Sequence, residues 1–227
     1  MKNLDNYEYL LFDLDNTLLD FNKASSLAFK ALMKALEIDN FEAYYEIYYP
    51  INAKYWHYYE KQKISADEVK YGRFEAFIQE AKLDIDPVSM ANSYLDELVT
   101  YSFWINGAQE FLDQVKESHK LAIISNGLSS AQHRRLEKHG MKNYFEHIFI
   151  SEELGVSKPH KAFFDKVHQS ILVGDKSKVL VIGDNPKSDI KGARNFGYHS
   201  CWYNYKRDKK ARVKSNYSID NWEVFLK

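Results

Sequence analysis

The chain lacks the marks of several large protein classes. Cys201 is the only cysteine among 227 residues, which excludes an intramolecular disulfide and any cysteine-rich metal site. Set in an apolar run, it reads as a buried thiol. The eight histidines show no convincing metal-ligand spacing, and His57 and His133 read as solvent-facing or capping groups. No Gly-x-Gly-x-x-Gly and no P-loop occurs, so dinucleotide binding and ATP-driven work lack a sequence basis. There is no internal repeat and no stretch of membrane-spanning length. The opening Met1-Lys2-Asn3-Leu4-Asp5-Asn6 has no signal-peptide core, and a soluble cytoplasmic protein without a membrane partner is expected. A net charge of −1 offers no general surface for a polyanion. The one basic run, Lys206-Arg207-Asp208-Lys209-Lys210-Ala211-Arg212, reads as a solvated loop or helix face rather than a nucleic-acid site.

What the chain does have is a set of short apolar runs that end in polar residues. Tyr9-Leu10-Leu11-Phe12 stops at Asp13 and Asp15. Leu121-Ala122-Ile123-Ile124 stops at Ser125-Asn126-Gly127, and Val179-Leu180-Val181-Ile182 stops at Gly183-Asp184. Such runs read as strands buried on both faces. A strand of that kind has no use for a carboxylate inside it, so Asp13 and Asp15 belong just past its end, where open α/β sheets place their chemistry. The alternative reading of Asp13, and the weaker one, is the capping residue of an Asx turn.

Helical periodicity fills the gaps. Ala24, Leu27, Ala28, Ala31, Leu32, Ala35 and Leu36 recur at helical spacing, as do the aromatics from Phe41 to Tyr59, with Pro50 and Asn52 expected to interrupt them. Further helices are expected over Asp67 to Ala81 and Met90 to Leu98, with a turn at Pro87. About eighty residues thus separate the first strand from the second, far more than the dozen or so that a crossover helix needs. The excess predicts an inserted all-helical domain over residues 19–104, hinged near Leu19–Phe21 and Trp104–Asn106. Residues 1–18 and 105–227 then form a doubly wound, parallel, Rossmann-like α/β core. His199 to Tyr203 is expected as the last strand, with Tyr217-Ser218-Ile219, Trp222, Val224, Phe225 and Leu226 covering a sheet edge.

Asp13-x-Asp15, Ser125-Asn126-Gly127, Lys158-Pro159 and Gly183-Asp184 followed by Asp189 occur in that order. The ordered set resembles the haloacid dehalogenase-like hydrolase superfamily and spans roughly Tyr9 to Trp202. The resemblance implies a Mg²⁺-dependent phosphohydrolase acting on a small-molecule phosphate ester. Asp13 would be the nucleophile that forms an acyl-phosphate. Asp15 would be the general acid–base, with Thr17 and Gly127 ordering the loops. Ser125 and Asn126 would hold phosphoryl oxygens through a hydroxyl and backbone N–H groups. Lys158 would neutralise the phosphate and orient Asp13. Asp13, Asp184 and the backbone carbonyl of Asp15 would bind the metal. Asp189 would bind it, hold its water, or cap a helix, while Gly183 anchors that turn.

A haloacid dehalogenase would use Asp13 without metal, and Asp15 argues against it. A phosphoglucomutase-type isomerase shares the same machinery, and a non-catalytic interaction module would show lost motif residues. The placement of the insert and the opening Phe12-Asp13-Leu14-Asp15-Asn16-Thr17-Leu18-Leu19-Asp20-Phe21 look like the pyrimidine 5′-nucleotidase branch of that superfamily. The substrates expected from that resemblance are pyrimidine nucleoside monophosphates; a small sugar phosphate or phosphoglycolate is the alternative.

Overall fold

A computed structural model of the chain describes residues 4–208 and 210–225. Met1, Lys2 and Asn3 of the opening segment, Lys209 of the basic run and Leu226 of the C-terminal apolar group lie outside the described residues. The chain divides into two compact units. One comprises Met1–Asp20, Phe103–Ser129 and Leu136–Lys227; the other comprises Phe21–Ser102 and Ser130–Arg135.

The first unit is built on a six-stranded parallel sheet of β1 (Tyr9–Phe12), β2 (Lys120–Ser125), β3 (His147–Ile150), β4 (Val179–Gly183), β5 (His199–Tyr203) and β6 (Tyr217–Ile219). The spatial order is β3-β2-β1-β4-β5-β6. Phe12 pairs with Ile123 on one side and Ile182 on the other. The register therefore brings the ends of β1, β2 and β4 together. Strand order reverses between β1 and β4, and the crevice at such a switch point is where this architecture places ligands.

Alternate strand residues face opposite layers, as the pleat requires. Leu10, Phe12, Ile123, Ile182 and Cys201 pack with Phe111, Leu112 and Trp222. Tyr9, Leu11, Ile124 and Val181 pack with Phe163, Phe164, Val167 and Phe196. Cys201 is indeed buried, and burial pushes its thiol up to about 12. The C-terminal segment does more than cover an edge: Tyr217–Ile219 adds a sixth strand parallel to β5. Tyr203 is thus not the end of the sheet. The three-residue strand is too short to announce itself by periodicity.

The second unit contains α1 (Phe21–Ala35), α2 (Phe41–Glu60), α3 (Arg73–Ala81) and α4 (Pro87–Thr100). Pro50 does not break α2, which runs through it for 20 residues. Proline removes one backbone bond, but the helix is pinned on both sides of it. Tyr48 stacks on Phe29 at 4.6 Å and on Phe74 at 5.4 Å. Beyond the proline, Asn52 Oδ1 accepts from Arg73 Nη1 at 2.7 Å. Pro87 likewise starts a helix instead of marking only a turn: Asp86 caps it, accepting from Ser89 N at 2.7 Å, and Pro87 takes the first-turn position where no N–H is needed. No helix among the described residues is long and apolar enough to cross a membrane.

Candidate active site

The apolar strands place their polar ends side by side. Asp13 N donates to Ile182 O at 2.9 Å, which carries the sheet ladder one residue past β1. The carboxylate that follows is buried, and each oxygen has a fixed donor. Lys158 Nζ donates to Asp13 Oδ1 at 2.7 Å and Thr17 Oγ1 donates to Oδ2 at 3.1 Å. The Thr17 hydroxyl also accepts from Asp184 N at 3.1 Å. One side chain thus ties the end of β1 to the end of β4. Asn16, at φ 59°, supplies the left-handed residue of this turn, a conformation that asparagine tolerates better than most residues.

Lys158 is almost fully buried and its three donors are all directed. They go to Asp13 Oδ1, Asp189 Oδ1 at 2.8 Å and Ile124 O at 2.7 Å. Burial works against its charge, yet Asp13 and Asp189 hold its pKa above the usual lysine value. The lysine is therefore a fixed cation beneath the carboxylates. Its backbone is clamped as well: the Asn126 side chain donates to Lys158 O and accepts from Lys158 N, both at 2.9 Å. Ser125 is buried and its Oγ accepts from Gly127 N at 3.1 Å.

Asp13, Asp184 and Asp189 each offer a carboxylate oxygen within 4.8 Å of the others. Burial pushes Asp13 up to about 7, with Lys158 opposing the rise and Asp189 and Asp15 adding to it. Burial, Asp13 and Asp189 push Asp184 up to about 9. Three close carboxylates facing one ammonium carry surplus negative charge in a poorly solvated place. A hard divalent cation fits that donor set and would relieve the repulsion.

Asp189 is committed on both oxygens, to Lys158 and, through Oδ2, to Asn185 N at 3.0 Å. Its carboxylate rests on Gly183, where an added Cβ would collide with it. Gly183 is needed here for close approach, not for an unusual backbone angle.

Some supporting groups escaped sequence reasoning. Trp222 Nε1 donates to Thr17 O and Trp202 Nε1 donates to Asp184 O, both at 3.0 Å. Nothing local in the sequence links Trp222 to Thr17. Asn185 was legible in principle. An asparagine before a proline is a helix-start signal, and its Oδ1 accepts from Lys187 N at 2.9 Å.

A family model described as haloacid dehalogenase-like hydrolase matches residues 10–203. The chain belongs to this family of hydrolases. Among its curated relatives, pyrimidine 5′-nucleotidase PynA of Streptococcus pneumoniae is 33% identical over 97% of this chain and 94% of its own. Pyrimidine 5′-nucleotidase YjjG of Escherichia coli is 29% identical over 95% of this chain and 94% of its own. The crystal structure of the putative HAD-hydrolase YfnB from Bacillus subtilis, bound to magnesium, superposes with a TM-score of 0.89. It is 33% identical and covers 97% of each chain. As a haloacid dehalogenase-like hydrolase of the YjjG and YfnB type, the chain is an enzyme whose four family motifs converge at one end of the sheet.

Proposed function

We propose that this hydrolase cleaves phosphomonoesters through an aspartyl-phosphate on Asp13, and that its substrates are pyrimidine nucleoside 5′-monophosphates. The observation that carries the chemistry is the setting of Asp13. Lys158 and Thr17 aim its carboxylate, and Asp184 and Asp189 lie within reach of the same point. An aimed carboxylate can attack phosphorus and split one hard displacement into two easier ones. Mg²⁺ held by Asp13, Asp184 and the Asp15 carbonyl would supply the positive charge that attack on a phosphate dianion needs.

Asp15, two residues on in the turn that Thr17 closes, protonates the leaving alkoxide and then takes a proton from the hydrolytic water. Ser125 and the backbone N–H groups after β2 receive phosphoryl oxygens. Lys158 neutralises charge from below, and Asp189 acts through Lys158. The inserted helices are read as the cap domain of this family. The substrate reading is supported by two relatives that carry the name pyrimidine 5′-nucleotidase along nearly the whole chain.

A phosphate-release screen tests it. Turnover of p-nitrophenyl phosphate should require Mg²⁺ and stop with excess EDTA. The kcat/KM for dUMP, UMP or dTMP should exceed that for sugar phosphates and phosphoglycolate. Activity unchanged by complete chelation would sink the mechanism, and no preference for pyrimidine monophosphates would sink the substrate.

A further inference from the structure

The helical unit buries a cation that no described carboxylate neutralises. Arg73 opens α3 and is only 2% exposed. A charge taken out of water without a partner is costly, and a buried arginine ordinarily forks onto a carboxylate or a phosphate. The one hydrogen bond of Arg73 among the described residues runs from Nη1 to Asn52 Oδ1 at 2.7 Å. Its Nε is buried with no acceptor. We propose that Arg73 is the receptor of a binding site within the helical unit for a small oxyanion, a carboxylate or a phosphate held side-on by Nε and Nη2. Arg73 and Asn52 both belong to that unit, and the site is independent of the phosphohydrolase chemistry.

The guanidinium is held in place with one edge left over. Asn52 Oδ1 accepts from Arg73 and also from the Tyr48 hydroxyl at 3.3 Å, so the acceptor of Nη1 is itself fixed. The guanidinium carbon lies 5.0 Å from the Phe74 ring centroid, 5.3 Å from that of Tyr94 and 5.7 Å from that of Trp56. These rings stabilise the charge, but they offer no lone pair to an N–H. The remaining Nε–Nη2 edge carries two parallel donors, the spacing that matches two oxygens of one carboxylate or phosphate.

The backbone that leads into Arg73 is irregular as well. Glu68–Gly72 is a π-helical turn, a form found mostly as single turns at functional positions. Gly72 packs so closely on α2 that an added Cβ would stand 3.0 Å from Tyr55 Cε1. The turn thus lies tight against α2, which brings Arg73 to Asn52. Asn52, Trp56 and Gly72 are each partly exposed, so the guanidinium sits one layer beneath solvent and a small anion has a short way in.

The test is the side-chain N–H correlation spectrum of the isotope-labelled whole chain in EDTA, titrated with acetate or with inorganic phosphate at constant ionic strength. The Arg73 Nε–H signal should move along a saturable curve with one anion or both, and the anion that saturates at the lower concentration names the source. The Trp56 indole signal should follow it. Arg73→Lys keeps the charge but loses the fork, and the Trp56 response should then need about tenfold or more anion, as loss of a charged hydrogen bond does. Asn52→Asp sets a carboxylate on Nη1, neutralises the cation and should weaken the Arg73 response by at least as much; at a partly exposed position, it decides the matter if Arg73→Lys does not fold. An Arg73 signal that stays in place, or only drifts in proportion to added salt, would overturn the site, and so would a titration that Asn52→Asp leaves unchanged. Phosphate taken up only at the carboxylates of the sheet would move other signals and not that of Arg73, which would equally overturn it.

Discussion

Replacing Lys158 by methionine should destabilise the protein in a way that depends on pH, and the size of the effect follows from the hydrogen bonds of the ammonium. The substitution keeps most of the stem and removes donors to Asp13, Asp189 and Ile124 O. The unpaired Ile124 carbonyl costs about 1–3 kcal/mol at any pH. The carboxylates add a second, titrating cost. Burial pushes Asp13 up to about 7 and Asp184 up to about 9, above the usual value of about 4 for aspartate. A carboxyl raised in the folded state favours folding at low pH and loses that contribution as pH rises through its folded pKa. Without Lys158 the rise is larger.

At pH 5.5 Asp13 and Asp184 are largely protonated, so the cost of Lys158→Met there should come only from the Ile124 carbonyl and the lost Asp189 pair. At pH 8.5 it leaves buried negative charge unpaired, and the loss grows to about 3–5 kcal/mol. For a chain of this length that lowers Tm by about 6–20 °C. Thermal unfolding in EDTA at the two pH values, wild type beside variant, is the assay. An equal Tm loss at both would refute the claim that Lys158 acts chiefly as the counter-charge of this cluster.

The same titration predicts that Mg²⁺ raises Tm more at pH 8.5 than at pH 6, because metal and protons compete for Asp13 and Asp184; titration calorimetry in two buffers should detect proton release, and its absence at pH 7 would contradict the assigned ligands. Gly183→Ala should drive the Asp189 carboxylate off its seat, costing about 1–3 kcal/mol and most of the turnover, whereas wild-type kinetics would show that the seat is irrelevant. Trp222→Phe should keep the stack on Phe111 but orphan the Thr17 carbonyl; a loss of about 1–3 kcal/mol in denaturant unfolding is expected, together with a lower kcat as the Thr17 turn loosens. Asp15→Asn should reduce kcat about 10²–10⁴-fold while inorganic phosphate still competes with substrate, and loss of that competition would move Asp15 from proton transfer to binding.

The parts of the site that could be read from the chain are those written locally. Each strand is an apolar run cut off by polar residues, so the places of Asp13, Ser125 and Asp184 follow from burial on both faces. Parallel pairing then brings them to one end. The groups that hold them were hidden because their partners are far away in sequence. Trp222 meets Thr17 across 205 positions. The Asn126 side-chain amide, likewise, is paired with the backbone of Lys158 across 32 positions. Pro50 shows the opposite case, a strong local signal overruled by Tyr48 and Asn52 packing on either side of it.

The central claim is that Asp13 becomes phosphorylated during turnover. Acid-quenched enzyme, mixed for milliseconds with dUMP or p-nitrophenyl phosphate and Mg²⁺, can be digested and its peptides weighed. One phosphoryl group should appear on the peptide carrying Asp13, vanish in Asp13→Asn, and persist longer in Asp15→Asn, where water activation is impaired. A phosphoryl group on any other residue, or steady phosphate release by Asp13→Asn, would contradict the account.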